Sequence, residues 1–325
     1  MTSRRDALKM GAIAGVMLLR PQSVLAQAVR HIPQRASARV IIDNDFAGDP
    51  DGLVALIHQL LSPKTRPVLI TSSALEPRFT EAALRGRSAA AGAEAAAELI
   101  SRAGLRNSPP IAAGTELPRS NNAGPSAAAR AIVAEAMRDD PLPLFFTCGG
   151  PLTNLADALA LEPAIAGRMT LIWIGGGNYP AGGWEYNLAT DADAARSVIE
   201  GSSLPLWQIP QAAYRQMQYP VSAMRSRLQP MSPFGAWLYD RFTTPPDFVD
   251  LSGTWPLGDS PLVLLTALSG ESSHYDEQPA RRILPDLAYG EPVPGRTIRV
   301  YDRLDSWLVF EDFLALMDLH GRGEI

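Results

Sequence analysis

Apolar runs that end abruptly in charge or glycine recur along this chain, and most are followed by an apolar pattern of helical spacing. "RVIIDND" (39–45) reads as a buried strand ending in carboxylates. After it, Leu53, Leu56, Ile57, Leu60 and Leu61 repeat at helical spacing. "RPVLITSSA" predicts a second strand, and "TEAALRGRSAAAGAEAAAELISRAG" (80–104) an alanine-rich helix closing at Gly104. "PLFFTCGG" and "RMTLIWIGGG" are strands running into glycines, each followed by a helical pattern, "PLTNLADALAL" and "TDADAARSVIE". "LPLWQIP" predicts a further strand. Strands alternating with helices imply an α/β fold: an open, mostly parallel, Rossmann-like sheet with helices on both faces. Ligands of such sheets bind at the carboxyl ends of the strands. The aspartate cluster and the turns at Gly149-Gly150 and Gly175-Gly176-Gly177 fall at such ends. Residues 210–258, richer in Pro, Met and aromatics, read as helical insertions over the sheet end.

Composition narrows the function classes. The chain has 325 residues, 46% of them hydrophobic, and a mean hydropathy near zero, as expected of a protein with a substantial core. Its net charge of −5 argues against a general nucleic-acid binder. The single cysteine, Cys148, excludes an intramolecular disulfide and reads as a buried strand-end residue. The N-terminus has a basic start, a short apolar run from Met10 to Leu19, and small residues ending Ala26-Gln27-Ala28. This is the layout of a secretory signal peptide over residues 1–28. Its Arg4-Arg5, followed by Leu8 and Lys9, resembles a twin-arginine export signal. The expected organisation is therefore a signal peptide (1–28), a linker (29–38) and one domain (39–325), in a periplasmic or secreted protein.

The densest chemistry lies in "DNDFAGDPDG", where Asp43, Asp45, Asp49 and Asp51 crowd into nine residues. Carboxylates can dress a helix N-terminus, at about 1 kcal/mol for a cap. That explains one or two of the four. An EF-hand loop fails at both ends, which would be Ala47 and His58. A phosphoryl-transfer aspartate of the "DxDxT" kind has Ala47 where Thr or Val is expected, and Lys64 is the one lysine beyond the signal segment. Clustered carboxylates repel, so a divalent cation held by hard oxygens suits the pattern best.

The same stretch resembles the N-terminal signature of the nucleoside hydrolase family, "DTDPGxDDAxA", with one extra residue before the helix. "FFTCGGPLTNLADAL" is similar to the family's "GPLTNLA" segment, and "LIWIGGGNYPAGGWEYNLATDADAA" to its "MGG…GN…EFNxxxDPxAA" segment. "GDSPLVLLTAL" is similar to its late aspartate segment. Four blocks in the right order cover roughly residues 39–305.

The resemblance implies the nucleoside hydrolase fold, Ca²⁺ as cofactor, and hydrolysis of the N-glycosidic bond of a ribonucleoside or related riboside. It implies Asp45 as metal ligand and general base, and Asp259 and the Gly149 carbonyl as further metal ligands. It implies Glu185, Asn187 and Asn178 on the ribose hydroxyls. The adjacent "DD" of the family is Asp51-Gly52 here, and Asp49 with Asp51 is expected to replace it, Asp51 on the metal and Asp49 on the ribose. Gly258 stands where many members carry a histidine; of the four histidines only His274 lies in a region within reach of the site, and it is expected to be a surface loop residue. Thr153 and Asn154 are expected to cap the following helix, and Asp191 and Asp193 to dress the start of theirs. The expected partner is a small-molecule nucleoside or riboside, with no nucleic acid, and no membrane once the signal is removed. A homo-oligomer is left open. The competing reading is a catalytically weak periplasmic relative that binds a nucleoside or sugar.

Overall fold

The computed structural model describes residues 32–119, 124–245 and 252–325. The first strand, β1 (Ala38–Asn44), is buried at every position, which places it in the middle of a sheet covered on both faces. Residues 32–37 before it have no regular structure, so the strand claims the last position of the expected linker. The expected signal peptide lies outside the described residues.

The chain then alternates: α1 (Asp51–Leu61), β2 (Thr65–Ser72), α2 (Ser88–Ala103), β3 (Ile111–Ala113), α3 (Ala127–Ala136), β4 (Leu144–Cys148) and α4 (Thr153–Leu161). There follow β5 (Thr170–Ile174), α5 (Tyr186–Thr190), α6 (Ala192–Gly201), β6 (Leu206–Ile209) and α7 (Gln211–Tyr214). A small antiparallel pair, β7 (Gln218–Pro220) with β8 (Thr254–Pro256), brackets α8 (Val221–Ala223) and α9 (Pro233–Asp240). Last come α10 (Pro261–Ala267), β9 (His274–Ile283), β10 (Tyr289–Arg303) and α11 (Ser306–Gly321). The main sheet has eight strands in the order β3-β2-β1-β4-β5-β6-β10-β9. All its pairings are parallel except β9 with β10.

Alternate residues of β1 feed two cores. Val40 and Ile42 face α1, α2, α10 and α11 (Leu56, Leu99, Leu264, Phe313). Ile41 faces α3, α4 and α6 (Ile132, Leu155, Val198). Burying each such aliphatic side chain contributes about 1.5–3 kcal/mol, so the sheet is held from both sides. Residues 34–325 form one compact unit. Among the described residues no helix is long and apolar enough to cross a membrane.

Two expectations about elements need correction. The alanine-rich helix begins at Ser88, eight residues late, because Gly86 takes a left-handed φ of 71° and breaks the run. It does end at Gly104 in the left-handed conformation, as the sequence suggested. Residues 210–258 are only partly helical, since β7 and β8 pair within them.

Candidate active site

The end of β1 points its residues in turn to opposite faces of the sheet. Asp43 is fully buried. Its Oδ2 accepts from Thr71 Oγ1 at 2.6 Å and from Asn154 Nδ2 at 2.7 Å, and the Cys148 thiol lies 3.5 Å from its Oδ1. Burial raises its pKa to about 6, against the pull of these donors. Asp43 is thus a tied structural group. Burial likewise pushes the Cys148 thiol well up, which suits an inert strand-end residue and not a nucleophile.

Asn44 turns the other way. Its Nδ2 donates to Asp259 Oδ2 at 2.8 Å, and its Oδ1 is buried without a hydrogen-bond partner. A tight turn follows, with the Gly48 N–H on the Asp45 carbonyl at 2.8 Å. Helix α1 then starts from Pro50, and no side chain caps it. The aspartates of this loop are therefore not there as caps.

Asp45, Asp51 and Asp259 are all nearly buried. The Asp259 N–H donates to Asp51 Oδ2 at 3.2 Å, joining the start of α1 to the residues before α10. Asp49 and Asp51 share a side-chain hydrogen bond. Burial, then the charges of Asp259 and Asp49, hold Asp45 and Asp51 well above the usual carboxylate range. Burial raises Asp49 as well, and pushes Asp259 up to about 8. The neighbouring charges felt by Asp45, Asp51 and Asp259 are all carboxylates. Among the described residues no cationic side chain is a leading influence on these acids, and such a group of buried carboxylates suits an added cation.

The glycine turn after β4 presses against this group. A Cβ on Gly149 would fall 2.3 Å from Asn44 Nδ2 and 2.6 Å from Asp259 Oδ1, so only glycine brings this backbone so near. One on Gly150 would fall 2.4 Å from Ser73 Oγ. Trp173 Nε1 donates to the Gly150 carbonyl at 3.0 Å and steadies the turn.

The oxygens of Asp45, Asp49, Asp51 and Asp259 and the Gly149 carbonyl make a hard donor set of the kind Ca²⁺ takes. The chemistry of the site therefore fits a divalent cation. Among the described residues, however, no three His, Cys, Asp or Glu side chains stand as a ready-made cage.

The ribose candidates sit behind the glycine turn. Glu185 is buried and accepts from the N–H groups of Gly176 (2.7 Å), Leu188 (3.0 Å) and Asn187 (3.2 Å) and from Tyr214 Oη (3.0 Å). Asn187 Nδ2 donates to the carbonyls of Ile174 (2.8 Å) and Gly149 (3.2 Å). Both side chains are thus engaged inside the protein. Asn178 is exposed, with its Oδ1 on the Ala212 N–H at 3.0 Å.

One secondary expectation changes and others hold. Thr153 and Asn154 do not cap α4: Thr153 Oγ1 donates to Asp191 Oδ2 at 2.8 Å, and Asn154 serves Asp43. Asp191 caps α6 through the Ala194 N–H and Asp193 lies in its first turn, exposed and paired with Arg196, so both dress the helix start as expected. His274 is exposed, as expected, and pairs with Asp302, although it lies on the edge strand β9 and not in a loop. The room a side chain at 258 would take is bounded by the Tyr214 ring, 3.3 Å from a Cβ built there.

Sequence reasoning passed over Asn44, Tyr214 and the packing of Phe79 against Trp184 and Tyr186. Phe79 stacks on Tyr186 and meets Trp184 edge-on, both with ring centroids 6.3 Å apart. Tyr186 feels the charges of Asp45 and Asp49, so the group adjoins the acids. Asn44 had a signal, a polar residue between two acids at a strand end. The aromatic grouping had none, since Phe79 lies more than 100 positions before Trp184 and Tyr186.

The profile of the inosine-uridine preferring nucleoside hydrolase family matches residues 40–268, more than two thirds of the chain. The chain belongs to this family. Among curated proteins, the pyrimidine-specific ribonucleoside hydrolase RihA of Salmonella arizonae is 31% identical over 97 residues, which span 29% of this chain and 31% of that protein. Among solved structures, the plant nucleoside hydrolase PpNRh1 superposes with a TM-score of 0.66 at 20% identity, covering 87% of this chain and 98% of the other. The inosine-guanosine nucleoside hydrolase IG-NH gives 0.65 at 16%, covering 87% and 99%. The inosine-uridine preferring nucleoside hydrolase of Bacillus anthracis gives 0.64 at 16%, covering 86% and 99%. At these identities the superpositions establish the nucleoside hydrolase fold.

Proposed function

We propose that the chain is a divalent-metal-dependent hydrolase of the N-glycosidic bond of a ribonucleoside or related riboside. The observation that carries this is the gathering of Asp45, Asp49, Asp51 and Asp259 at the carboxyl ends of the strands, where the Asp259 N–H meets Asp51 and the carboxylates raise one another's pKa. Membership of the nucleoside hydrolase family supplies the substrate class.

Asp45, Asp51, Asp259 and the Gly149 carbonyl would hold the cation, with Ca²⁺ the expected ion. When bound, it neutralises the carboxylates and acidifies a water beside them. Asp45 would take the proton of the attacking water at a carboxylate oxygen. The water oxygen bonds to the anomeric carbon as the bond to the base nitrogen breaks and its electron pair leaves with the base. The positive charge that develops on the sugar is stabilised by the acidic pocket. Asp49 orients the ribose hydroxyls. The rings of Phe79, Trp184 and Tyr186 suit a flat aromatic leaving group beside the acids.

A second reading, a catalytically weak relative that binds a nucleoside or sugar, is favoured by one observation: the polar atoms of Glu185 and Asn187 are engaged internally. Incubation of the purified protein lacking residues 1–28 with a nucleoside panel and Ca²⁺ decides between them. Release of reducing sugar supports hydrolysis. Saturable binding without sugar release supports the binding protein. We further propose that residues 1–28 direct export to the periplasm by the twin-arginine route.

A further inference from the structure

We propose that Asn44 is a positioning residue that fixes Asp259 for the acidic site, and that glycine at position 52 is what makes room for it. The inference rests on reading that site as a cation-dependent hydrolase site.

Three observations carry it. Asn44 Nδ2 donates to Asp259 Oδ2 at 2.8 Å, between groups that are both buried. The carboxamide lies where side chains at two other positions would be. A Cβ on Gly52 would meet its Oδ1 at 2.8 Å, its Cγ at 2.9 Å and its Nδ2 at 3.0 Å. A Cβ on Gly149 would meet its Nδ2 at 2.3 Å. Asn44 is therefore wedged between the first turn of α1 and the glycine turn after β4, with its donor aimed at Asp259. The amide orientation follows from chemistry, since the reverse would set its oxygen against the carboxylate. The remaining Oδ1 is buried and faces Gly52, with no protein donor on it.

The arrangement also explains Gly52. An aspartate there, completing an adjacent acid pair with Asp51, would place its Cβ against the Asn44 carboxamide. The chain has instead a neutral donor that holds one oxygen of Asp259 and leaves Oδ1 for other partners. Such outer partners of a ligating carboxylate commonly set metal affinity by about 10- to 100-fold.

The test is Ca²⁺ affinity by calorimetry on the protein lacking residues 1–28, for wild type, Asn44→Leu, Asp259→Asn and the double variant. Asn44→Leu should weaken binding about 10- to 100-fold. In the Asp259→Asn background it should cost nothing further, because Asn44 acts through Asp259. Wild-type affinity in Asn44→Leu, or losses that add in the double variant, would overturn the inference. Gly52→Ala gives a second route. Alanine improves helix propensity, so it should not unfold α1, yet its methyl displaces Asn44 and should weaken Ca²⁺ binding in the same sense. Should Asn44→Leu fail to fold, Gly52→Ala decides alone, and unchanged affinity there overturns the inference. A wild-type protein that binds no Ca²⁺ would instead fell the functional reading on which this inference rests.

Discussion

The backbone N–H of Asp259 donates to Oδ2 of Asp51 at 3.2 Å, across 208 positions of chain. The bond locks the start of α1 to the segment before α10, and both carboxylates arrive at the same end of the sheet. Asp45 comes to the same place from the end of β1.

Asp49 and Asp51 should separate by function. Asp51 is tied to Asp259 and is assigned to the cation, so Asp51→Asn should weaken Ca²⁺ binding and abolish turnover. Asp49 is less deeply buried, in the loop before the helix. Asp49→Asn should raise KM or lower kcat while metal affinity is largely kept. Steady-state kinetics with calorimetry on both variants checks the split. Retention of affinity and turnover in either would reduce that residue to a charge at a helix start.

Removal of the cation should leave a less stable protein. The raised carboxylates repel one another when charged, and an ion bound by the native state alone relieves this. At a free Ca²⁺ concentration 100 times Kd the gain is about 2.7 kcal/mol. Differential scanning calorimetry of the chelated protein, before and after Ca²⁺ addition, measures it. An unchanged Tm together with no heat of binding would remove the metal from the site.

The strands that build the site were legible because they are continuous apolar runs ending in Asp or Gly, and central parallel strands have no other way to be buried. Asp45, Asp49 and Asp51 could be picked out as a cluster where such a run hands over to a helix, whereas Asp259 was marked only by its likeness to the family's late aspartate segment. Strand β9 could not be read: most of its positions are exposed, so no alternation marks it. Asn44 was visible as a letter but not as a contact, because its partner lies 215 positions away. Glu185 matched a family pattern, yet its four donors come from α5, α7 and a glycine turn that only the folded chain brings together.

Export should depend on Arg4 and Arg5. The twin-arginine route reads this pair ahead of the apolar run, and lysine keeps the charge while losing the guanidinium. Changing both to Lys should strand the precursor in the cytoplasm, as seen by fractionation and blotting. Normal periplasmic accumulation of the double variant would count against the route.

Asn154 should matter for stability and not for the cation. Its Nδ2 supplies one of the two strong donors to Asp43 Oδ2, and its Oδ1 accepts from the Thr115 N–H at 3.3 Å. Leucine there has a similar volume but leaves a buried carboxylate short of a donor and a buried N–H without an acceptor. Each such loss costs about 1–3 kcal/mol. Asp43 faces Thr71, Asn154 and Cys148, whereas its neighbour Asn44 reaches Asp259, so the damage stays on the far side of β1. Urea unfolding of Asn154→Leu should therefore show a lower midpoint with an unchanged slope, while calorimetry gives Ca²⁺ affinity like that of the wild type. A variant as stable as the wild type would show that Asp43 is held without Asn154. A stable variant with lost Ca²⁺ affinity would place Asp43 in the metal site.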